Sequence, residues 1–150
     1  MLRLEHLTEE SVGKIVPLGP EFANEAKGLF EFNADCFVRH WTQYLQLNVG
    51  VVLAVFDDDR VVGTLGLILG NDFMDDAPTM AEAFFYVSQP YRTQKVGTML
   101  LDAAIRIAEA KGTKRFMMAS INNTDTEIDV GKMYARRGFQ ATQALWIKRF

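Results

Sequence analysis

A change of hydrophobic period near residue 88 constrains this chain more than any other feature. Residues 80–87, MAEAFFYV, form an apolar run rich in aromatic side chains, which is typical of a β-strand. Over residues 96–111 the apolar side chains recur at helical spacing, and Gly112 is suited to end that helix. The turn between them, YRTQKVGT (91–98), joins a strand directly to a helix. This unit favours an α/β or α+β domain with a mixed sheet.

The rest of the chain also alternates between strand and helix patterns. Residues 2–7 alternate apolar and polar side chains, and two apolar runs around the turn DDDR (57–60) predict a β-hairpin. Thr8 and the acids after it predict a helix start, and Pro17 and Pro20 interrupt that pattern. Further predicted elements are a helix at 35–46, a strand at 115–120, a helix from the capping box at Thr124 to Arg137, and a last strand at 143–150. A chain of 150 residues then fits one domain, residues 1–150.

The residue inventory excludes several classes of protein. One cysteine, Cys36, permits no disulfide within the chain, and His6 and His40 have no metal-ligand spacing. We therefore expect no metal site. No apolar run approaches the length of about 18 residues that a membrane helix needs, and the first residues lack the apolar core of a signal peptide. We expect a cytoplasmic protein.

The two halves of the chain differ strongly in charge. Residues 1–76 hold 5 basic and 13 acidic side chains, whereas residues 77–150 hold 11 basic and 6 acidic ones. The formal net charge is thus −8 in the first half and +5 in the second. Either the protein has two partners of opposite charge, or solvated charges are distributed unevenly.

The turn before the long helix has the chemistry of an anion site. A helix N-terminus offers unpaired backbone N–H groups and the positive end of the helix dipole, which suit a pyrophosphate. Gly97 allows a close approach, Arg92 and Lys95 add positive charge, and Thr93 and Thr98 add hydroxyl donors. The glycine patterns of the Walker P-loop and of the Rossmann fold are both absent.

Two motifs together resemble the GNAT superfamily of N-acetyltransferases, in particular small single-domain bacterial or phage members. The turn resembles the family's acyl-CoA motif, R/Q-x-x-G-x-G/A, with Arg92 and Gly97 at its ends and Lys95 in place of the middle glycine. A lysine with ordinary dihedrals can still present its backbone N–H there. The second motif, Tyr-x-x-x-Gly-Phe, begins at Tyr134 and ends at Phe139. The resemblance implies a GNAT-like α/β fold. Its sheet is mixed, mostly antiparallel and twisted, with about six or seven strands, about four helices and a splay at the central strand.

The resemblance also implies how acetyl-CoA, the acyl donor, binds. The turn amides would hold the pyrophosphate, and the backbone of residues 85–87 would pair with the pantetheine arm. An asparagine, Asn122 or Asn123, would contact CoA from the loop before the last helix. The predicted cofactor-binding residues are Phe85, Tyr86, Val87, Arg92, Thr93, Gln94, Lys95, Val96, Gly97, Thr98 and Asn123.

Two residues are predicted to carry the chemistry of direct attack by an amine on the thioester. Tyr134 is the candidate general acid, because its phenol could protonate the departing thiolate. Glu82 is the candidate general base, because an incoming ammonium has to lose a proton. Because a bulge in this strand would shift the alternation of side chains by one residue, the face of the sheet to which Glu82 points stays open. Alternative bases are a water molecule or one of the lesser candidates, Asp72, Asp75, Asp76 and Tyr86.

The acceptor is predicted only as an amine. The acidic first half favours a cationic amine, and some of the aromatic residues Phe30, Phe32, Phe37 and Trp41 are expected to line its pocket. An alternative function is a GNAT-fold CoA-binding or regulatory module without turnover. Nucleic-acid binding is disfavoured, because the basic residues are scattered and no known motif is present. The apolar last strand could mediate a homodimer.

Overall fold

The fold is built on one sheet with helices on both of its faces. A computed structural model describes residues 1–121 and 130–150. The strands in chain order are β1 (Leu2–Leu7), β2 (Gly50–Asp57), β3 (Arg60–Asn71), β4 (Pro78–Val87) and β5 (Arg115–Met117). The helices are α1 (Leu18–Glu25), α2 (Ala34–Gln46), α3 (Val96–Ala110) and α4 (Val130–Arg136). No helix among the described residues has the length and apolarity to cross a bilayer.

The described strands form a five-stranded sheet in the order β1-β2-β3-β4-β5. All neighbours are antiparallel except β4 and β5, which are parallel. This confirms the mixed, mostly antiparallel sheet, although its described part has fewer strands than the six or seven expected. The strand predicted at residues 143–150 is wrong, because that stretch forms no strand and is exposed. An apolar segment becomes a strand only where a neighbouring edge pairs with it.

The first helix also lies later than its pattern predicted. A turn bonds the Thr8 backbone N–H to the Ser11 hydroxyl at 2.8 Å, and a short 3₁₀ helix follows at Val12–Ile15. The α-helix begins only at Leu18, after Pro17 as its N-cap. Proline is tolerated in the first turn of a helix, where its missing N–H would have no helical acceptor. The prolines therefore begin α1 instead of interrupting an earlier helix.

Two apolar clusters pack against opposite faces of the sheet. On one face, α3 contributes Val96, Leu100 and Ala104 to a cluster with Leu53 and Leu65. The other face carries α1, α2 and the 3₁₀ helix, whose cluster includes Trp41, Val12, Leu18 and residues of β2. Because β2 and β3 are covered on both faces, they have continuous apolar runs instead of alternation.

The sheet opens between β4 and β5. Their pairing covers only Thr79 to Ala81 on β4, opposite Arg115 to Met117 on β5. Beyond Ala81 the remainder of β4 pairs with β3 alone among the described strands. The expected splay at the central strand is therefore present, and it leaves the β4 edge from Glu82 to Val87 available on one side.

A bulge in β4 decides which side chains face this opening. In the register with β3, Gly66 lies opposite Phe84 and Leu67 opposite Glu82, so that Ala83 is an extra residue. Met80 before the bulge faces α3, and so does Phe85 after it. Phe84 instead packs toward α2, where a Cβ on Gly66 would lie 2.3 Å from its ring. The bulge thus brings Glu82 to the face of Phe85.

Candidate active site

A cleft of about 200 Å³ lies at the splay of the sheet. Its walls are the open edge of β4, the N-terminus of α3, the start of α4 and the segment after β5, and α1 closes one side. The lining residues are Phe22, Glu25, Glu82, Phe85, Tyr86, Val87, Arg92, Lys95, Gly97, Thr98, Ala119, Ser120, Ile121, Val130, Met133 and Tyr134. The cleft thus brings together side chains from both motifs, 35 or more residues apart along the chain.

Glu82 and Tyr134 meet at the backbone of one residue, Ala119. The Ala119 N–H donates a long hydrogen bond, 3.4 Å, to Glu82 Oε1. The Tyr134 hydroxyl donates to the Ala119 carbonyl at 2.8 Å. The two predicted catalytic side chains therefore contact the peptide groups on either side of the same residue, one from β4 and one from α4.

Burial shifts the proton affinities of both groups. It raises the pKa of Glu82 from 4.5 to about 7, and the hydrogen bond from Ala119 only partly opposes this shift. Tyr134 is 8% exposed, and burial together with the negative charge of Glu82 raises its pKa well above the ordinary 10. Near neutral pH, Glu82 is therefore close to half ionised, while Tyr134 retains its proton.

The N-terminus of α3 leaves several backbone donors without a helical acceptor. The first amide with such an acceptor is that of Met99, which donates to the Lys95 carbonyl at 2.9 Å. The N–H groups of Val96, Gly97 and Thr98 precede it. A Cβ on Gly97 would lie 3.7 Å from the Phe85 ring, so the missing side chain keeps this part of the cleft open.

Lys95 departs from the expectation of ordinary dihedrals. It is the N-cap of α3 in the left-handed region, with φ of 66°. Glycine occupies this region without steric cost, whereas a side chain makes it unfavourable. The conformation gives a physical reason for glycine at this motif position, and Lys95 holds it at a site of local strain.

Arg92 points its charge toward α1. Its guanidinium Nη2 lies 2.7 and 2.8 Å from the two carboxylate oxygens of Glu25, and its Nε donates to the Val87 carbonyl at 2.9 Å. The Tyr86 hydroxyl also donates to Glu25, and the Ser88 hydroxyl donates to Glu21 at 2.8 Å. This cluster fastens α1 to the end of β4, so the guanidinium already has protein partners.

The side chains of several other predicted residues lie away from the cleft. Val96 is fully buried under the sheet, the Gln94 amide donates to the Pro90 carbonyl at 3.3 Å, and Thr93 is exposed. Asn122 and Asn123 lie outside the described residues. Asp72 and Asp75 form ion pairs with Arg115 where β5 begins, away from the open part of β4.

Among the described aromatic residues of the early helices, Phe22 lines the cleft, whereas the predicted Phe30, Phe32, Phe37 and Trp41 do not. Phe22 lines the cleft and stacks on Tyr86 with ring centroids 5.0 Å apart. Phe30 packs edge-on against Phe22, whereas Phe37 and Trp41 pack around Phe84 in the core.

Sequence reasoning missed the acidic face of α1. Glu21 and Glu25 are four residues apart and therefore lie on the same side of a helix. This spacing could have predicted an acidic helix face. The sequence pattern placed the helix start at Thr8 instead of Leu18, so the two acids were not read as part of one helix. The backbone of Ala119 carried no such signal, because an alanine in a loop does not mark itself as functional.

Comparisons with known proteins agree with this geometry. The sequence profile of the Acetyltransferase (GNAT) family matches residues 20–139. A predicted acetyltransferase from Clostridium acetobutylicum, solved with acetyl-CoA, has a TM-score of 0.77 at 12% identity, covering 100% of this chain and 96% of that one. A ribosomal-protein-alanine N-acetyltransferase from Brucella melitensis biovar Abortus 2308 has a TM-score of 0.74 at 17% identity, covering 100% and 99%.

A third similar structure is an aminoglycoside acetyltransferase from an uncultured soil metagenomic sample, in complex with sisomicin. Its TM-score is 0.69 at 18% identity, covering 99% of this chain and 94% of that one. No curated protein sequence matches at a significant level. At these identities the solved structures share the fold, and the family profile covers most of the chain. The chain belongs to the GNAT family of acetyltransferases.

Proposed function

We propose that this protein transfers the acetyl group of acetyl-CoA to a primary amine by direct attack. The observation that carries the proposal is the pairing of Glu82 with Tyr134 at Ala119, inside the cleft that the splayed sheet opens. A partly buried carboxylate with a pKa of about 7 suits a general base at neutral pH. Its position beside the open β4 edge suits attack on an acyl group held along that edge.

The donor would bind along two neighbouring backbone surfaces. The α3 N–H groups of Val96, Gly97 and Thr98 would donate hydrogen bonds to the pyrophosphate, with Lys95 adding positive charge at the lining of the cleft. The open backbone of Phe85 to Val87 would pair with the pantetheine arm as an added strand would. The Val87 carbonyl already accepts from Arg92, and its second lone pair can still accept another donor.

The proton and electron movements follow from the positions of Glu82 and Tyr134. Glu82, directly or through a water molecule, takes a proton from the ammonium, and the amine nitrogen forms a bond to the thioester carbon. The carbon–sulfur bond then breaks and the electron pair goes to sulfur. Tyr134 donates its hydroxyl proton toward that sulfur, and the second proton of the attacking nitrogen, released as the amide forms, restores the Tyr134 hydroxyl. Because its pKa is raised, stabilising the thiolate by a hydrogen bond is the larger part of its role.

The α1 side of the cleft would receive a cationic acceptor. Glu25 and Glu82 both line the cleft, and Glu21 lies one helical turn before Glu25 on α1. Among the described residues on this side, Arg92 pairs with Glu25, so the two α1 carboxylates outnumber that cation, while Lys95 lines the cleft at the N-terminus of α3. An excess of negative charge attracts an ammonium substrate. The sisomicin complex of a similar structure supports including aminoglycosides among the candidates.

The test is binding of acetyl-CoA followed by a search for turnover. At a hundredfold excess over Kd, a ligand of the native state adds about 2.7 kcal/mol of stability, so acetyl-CoA should raise the Tm clearly. Release of free CoA thiol should then depend on an amine from a panel of polyamines, aminoglycosides, amino acids and N-terminal peptides. No Tm shift at millimolar acetyl-CoA would contradict the donor assignment. Binding without thiol release from any amine would favour the regulatory module.

A further inference from the structure

The open edge of β4 ends at the carbonyl of Val87. Ser88, the next residue, donates its backbone N–H to the Val62 carbonyl of β3 at 2.9 Å. Backbone groups of successive residues point to opposite sides of a strand, so the N–H and carbonyl of Val87 point away from β3, to the open side. The Arg92 Nε donates to this last carbonyl at 2.9 Å.

Arg92 belongs to the turn that joins the two surfaces proposed to hold the donor. One surface is the open edge of β4, and the other is the row of N–H groups at the start of α3. The side chain of Arg92 extends back from the turn to the carbonyl that ends the edge. This hydrogen bond therefore restrains the position of the α3 N–H groups relative to the edge.

The same turn contains a strained residue that makes such a restraint necessary. Lys95, three residues after Arg92, has a φ of 66°, which is unfavourable for a residue with a side chain. A conformation of this kind persists only where the surrounding structure fixes it. A turn released from Arg92 would relax, and the start of α3 would move with it.

Glu25 fixes the Arg92 guanidinium at a second point. Its two carboxylate oxygens lie 2.7 and 2.8 Å from Arg92 Nη2, and the Tyr86 hydroxyl also donates to this carboxylate. The Arg92 and Glu25 side chains are only 12% and 17% exposed, so salt and water screen their attraction weakly. A free arginine side chain has a large rotamer entropy, and the pairing with Glu25 removes that freedom before any ligand binds.

We propose that Glu25 is a positioning residue for the acyl donor: it holds Arg92, and Arg92 fixes the turn between the β4 edge and the α3 N–H groups. Since acetyl-CoA is taken as the ligand that spans both surfaces, this role rests on the proposed function. The charge of Glu25 is neutralised by Arg92, so the acidic charge that α1 retains for a cationic acceptor is that of Glu21. The Glu21 carboxylate accepts from the Ser88 hydroxyl at 2.8 Å.

The negative charge of Glu25 has the opposite effect from its positioning role. A carboxylate repels a pyrophosphate, so the removal of an acid near the cleft by itself strengthens donor binding. Loss of the restraint on Arg92 weakens it. Glu21→Gln is the matched control for charge, because Glu21 lies one helical turn before Glu25 and accepts from Ser88 and Tyr86 instead of Arg92.

The first test is the affinity for acetyl-CoA, measured by calorimetry at a temperature where thermal unfolding shows every variant to be folded. Glu25→Gln should raise the Kd about tenfold, whereas Glu21→Gln should leave it unchanged or lower it slightly. In steady-state rates, Glu25→Gln should raise the KM for acetyl-CoA by a similar factor. Its kcat should change by less than about twofold, because Glu82 and Tyr134 are retained.

The second test determines whether Glu25 acts through Arg92. Arg92→Gln removes the restraint and should raise the Kd for acetyl-CoA by about tenfold as well. Adding Glu25→Gln should cause no further loss, because a residue that acts only through another has no effect once the other is absent. An equal loss from Glu25→Gln in both backgrounds overturns the positioning role. Tighter binding by the single variant also overturns it, since Glu25 would then hold the guanidinium away from the donor.

The native chain distinguishes a failure of this role from a failure of the proposed function. If the native chain binds acetyl-CoA and Glu25→Gln binds it with the same affinity, the positioning role alone is wrong. If the native chain binds no acetyl-CoA, the proposed function is contradicted and the positioning role with it.

Discussion

Two carboxylates that line the same cleft differ in their hydrogen-bond and ion-pair partners. Glu25, on α1, has the Arg92 guanidinium at 2.7 Å and also accepts from the Tyr86 hydroxyl. Glu82, on β4, has one long hydrogen bond from a backbone N–H, and burial raises its pKa to about 7. Glu25 is paired with a cation, whereas Glu82 is partly buried and has no ion-pair partner among residues 1–121 and 130–150.

This difference agrees with a structural role for Glu25 and with the chemical role proposed for Glu82. The Glu25 pair connects α1 to the end of β4 and so supports the wall of the cleft. An unpaired buried carboxylate costs stability, and such a cost is typical of a group that exchanges protons during a reaction. The number of acids near a cleft therefore says less about catalysis than the partners of each one.

Loss of the base should have the largest effect. Glu82→Gln retains the shape and removes the proton acceptor, so kcat/KM should fall by roughly 10²–10⁴-fold. In the native enzyme kcat/KM should rise with pH through an apparent pKa of about 7, and in the variant this step should disappear. Steady-state rates across pH measure both. Asp76→Asn is the control among the alternative bases, and if it reproduces the loss, the assignment of Glu82 is wrong.

Removal of the phenol hydroxyl should be the next largest effect. Tyr134→Phe retains the ring packing and removes the donor to sulfur, so kcat should fall by roughly 10²-fold. The affinity for acetyl-CoA, measured by calorimetry, should be almost unchanged. Wild-type turnover in this variant would assign Tyr134 a packing role through its bond to Ala119.

Stability should depend on pH through Glu82. Its folded pKa is raised from 4.5 to about 7, so its contribution is fully present below pH 4.5 and is lost as pH rises through 7. The loss is about 3 kcal/mol of unfolding free energy, since one pKa unit corresponds to about 1.4 kcal/mol. Denaturant unfolding of the native chain and of Glu82→Gln at several pH values measures this difference. Parallel pH curves for the two proteins would show that Glu82 is solvated.

The paired carboxylate should respond differently. Arg92→Gln leaves Glu25 half-buried without its cation and should lower the free energy of unfolding by about 2 kcal/mol. Adding Glu25→Gln should restore part of that loss, because the double variant has no unpaired charge. A double variant as unstable as the sum of the two single ones would indicate that the ion pair itself contributes nothing.

The smallest effect is expected at Gly97. Gly97→Ala places a Cβ 3.7 Å from the Phe85 ring without a clash, and alanine favours helix by up to about 1 kcal/mol. The variant should therefore be as stable as the native chain or slightly more stable, yet bind CoA about tenfold more weakly, because the methyl occupies the cleft. Calorimetry with CoA and thermal unfolding separate the two effects. Unchanged affinity would place the pyrophosphate away from this turn.

Most of the fold could be predicted from local patterns. The hairpin of β2 and β3, the helix α3 and the family itself follow from period changes and from two short motifs, and all are confirmed. Two errors have a common cause. Residues 143–150 have a strand pattern but no strand partner in the described chain, and the pattern after Thr8 has helical spacing but a proline-initiated helix beyond it. In both cases, contacts with the rest of the molecule outweighed the secondary-structure preference of the local sequence.

The site could be predicted as a list of residues but not as an arrangement. Tyr134, Glu82, Gly97 and Thr98 line the cleft, and their functional roles stay predictions. The sequence could not show that Arg92 turns its guanidinium to Glu25, because Glu25 lies 67 positions away along the chain. It also could not show the left-handed backbone at Lys95, where a side chain occupies a conformation that suits glycine.

The sequence by itself determined the element types, the family and the residue types available for proton transfer, because these depend on local spacing and chemistry. Only the tertiary structure decided that the Glu25 carboxylate is paired with Arg92, whereas the Glu82 carboxylate has no such partner among the described residues. The extra residue Ala83 turns Glu82 to the face of Phe85, and the path of the chain after β5 brings Ala119 to it. Pairing and burial depend on contacts between distant segments, and no local pattern encodes those contacts.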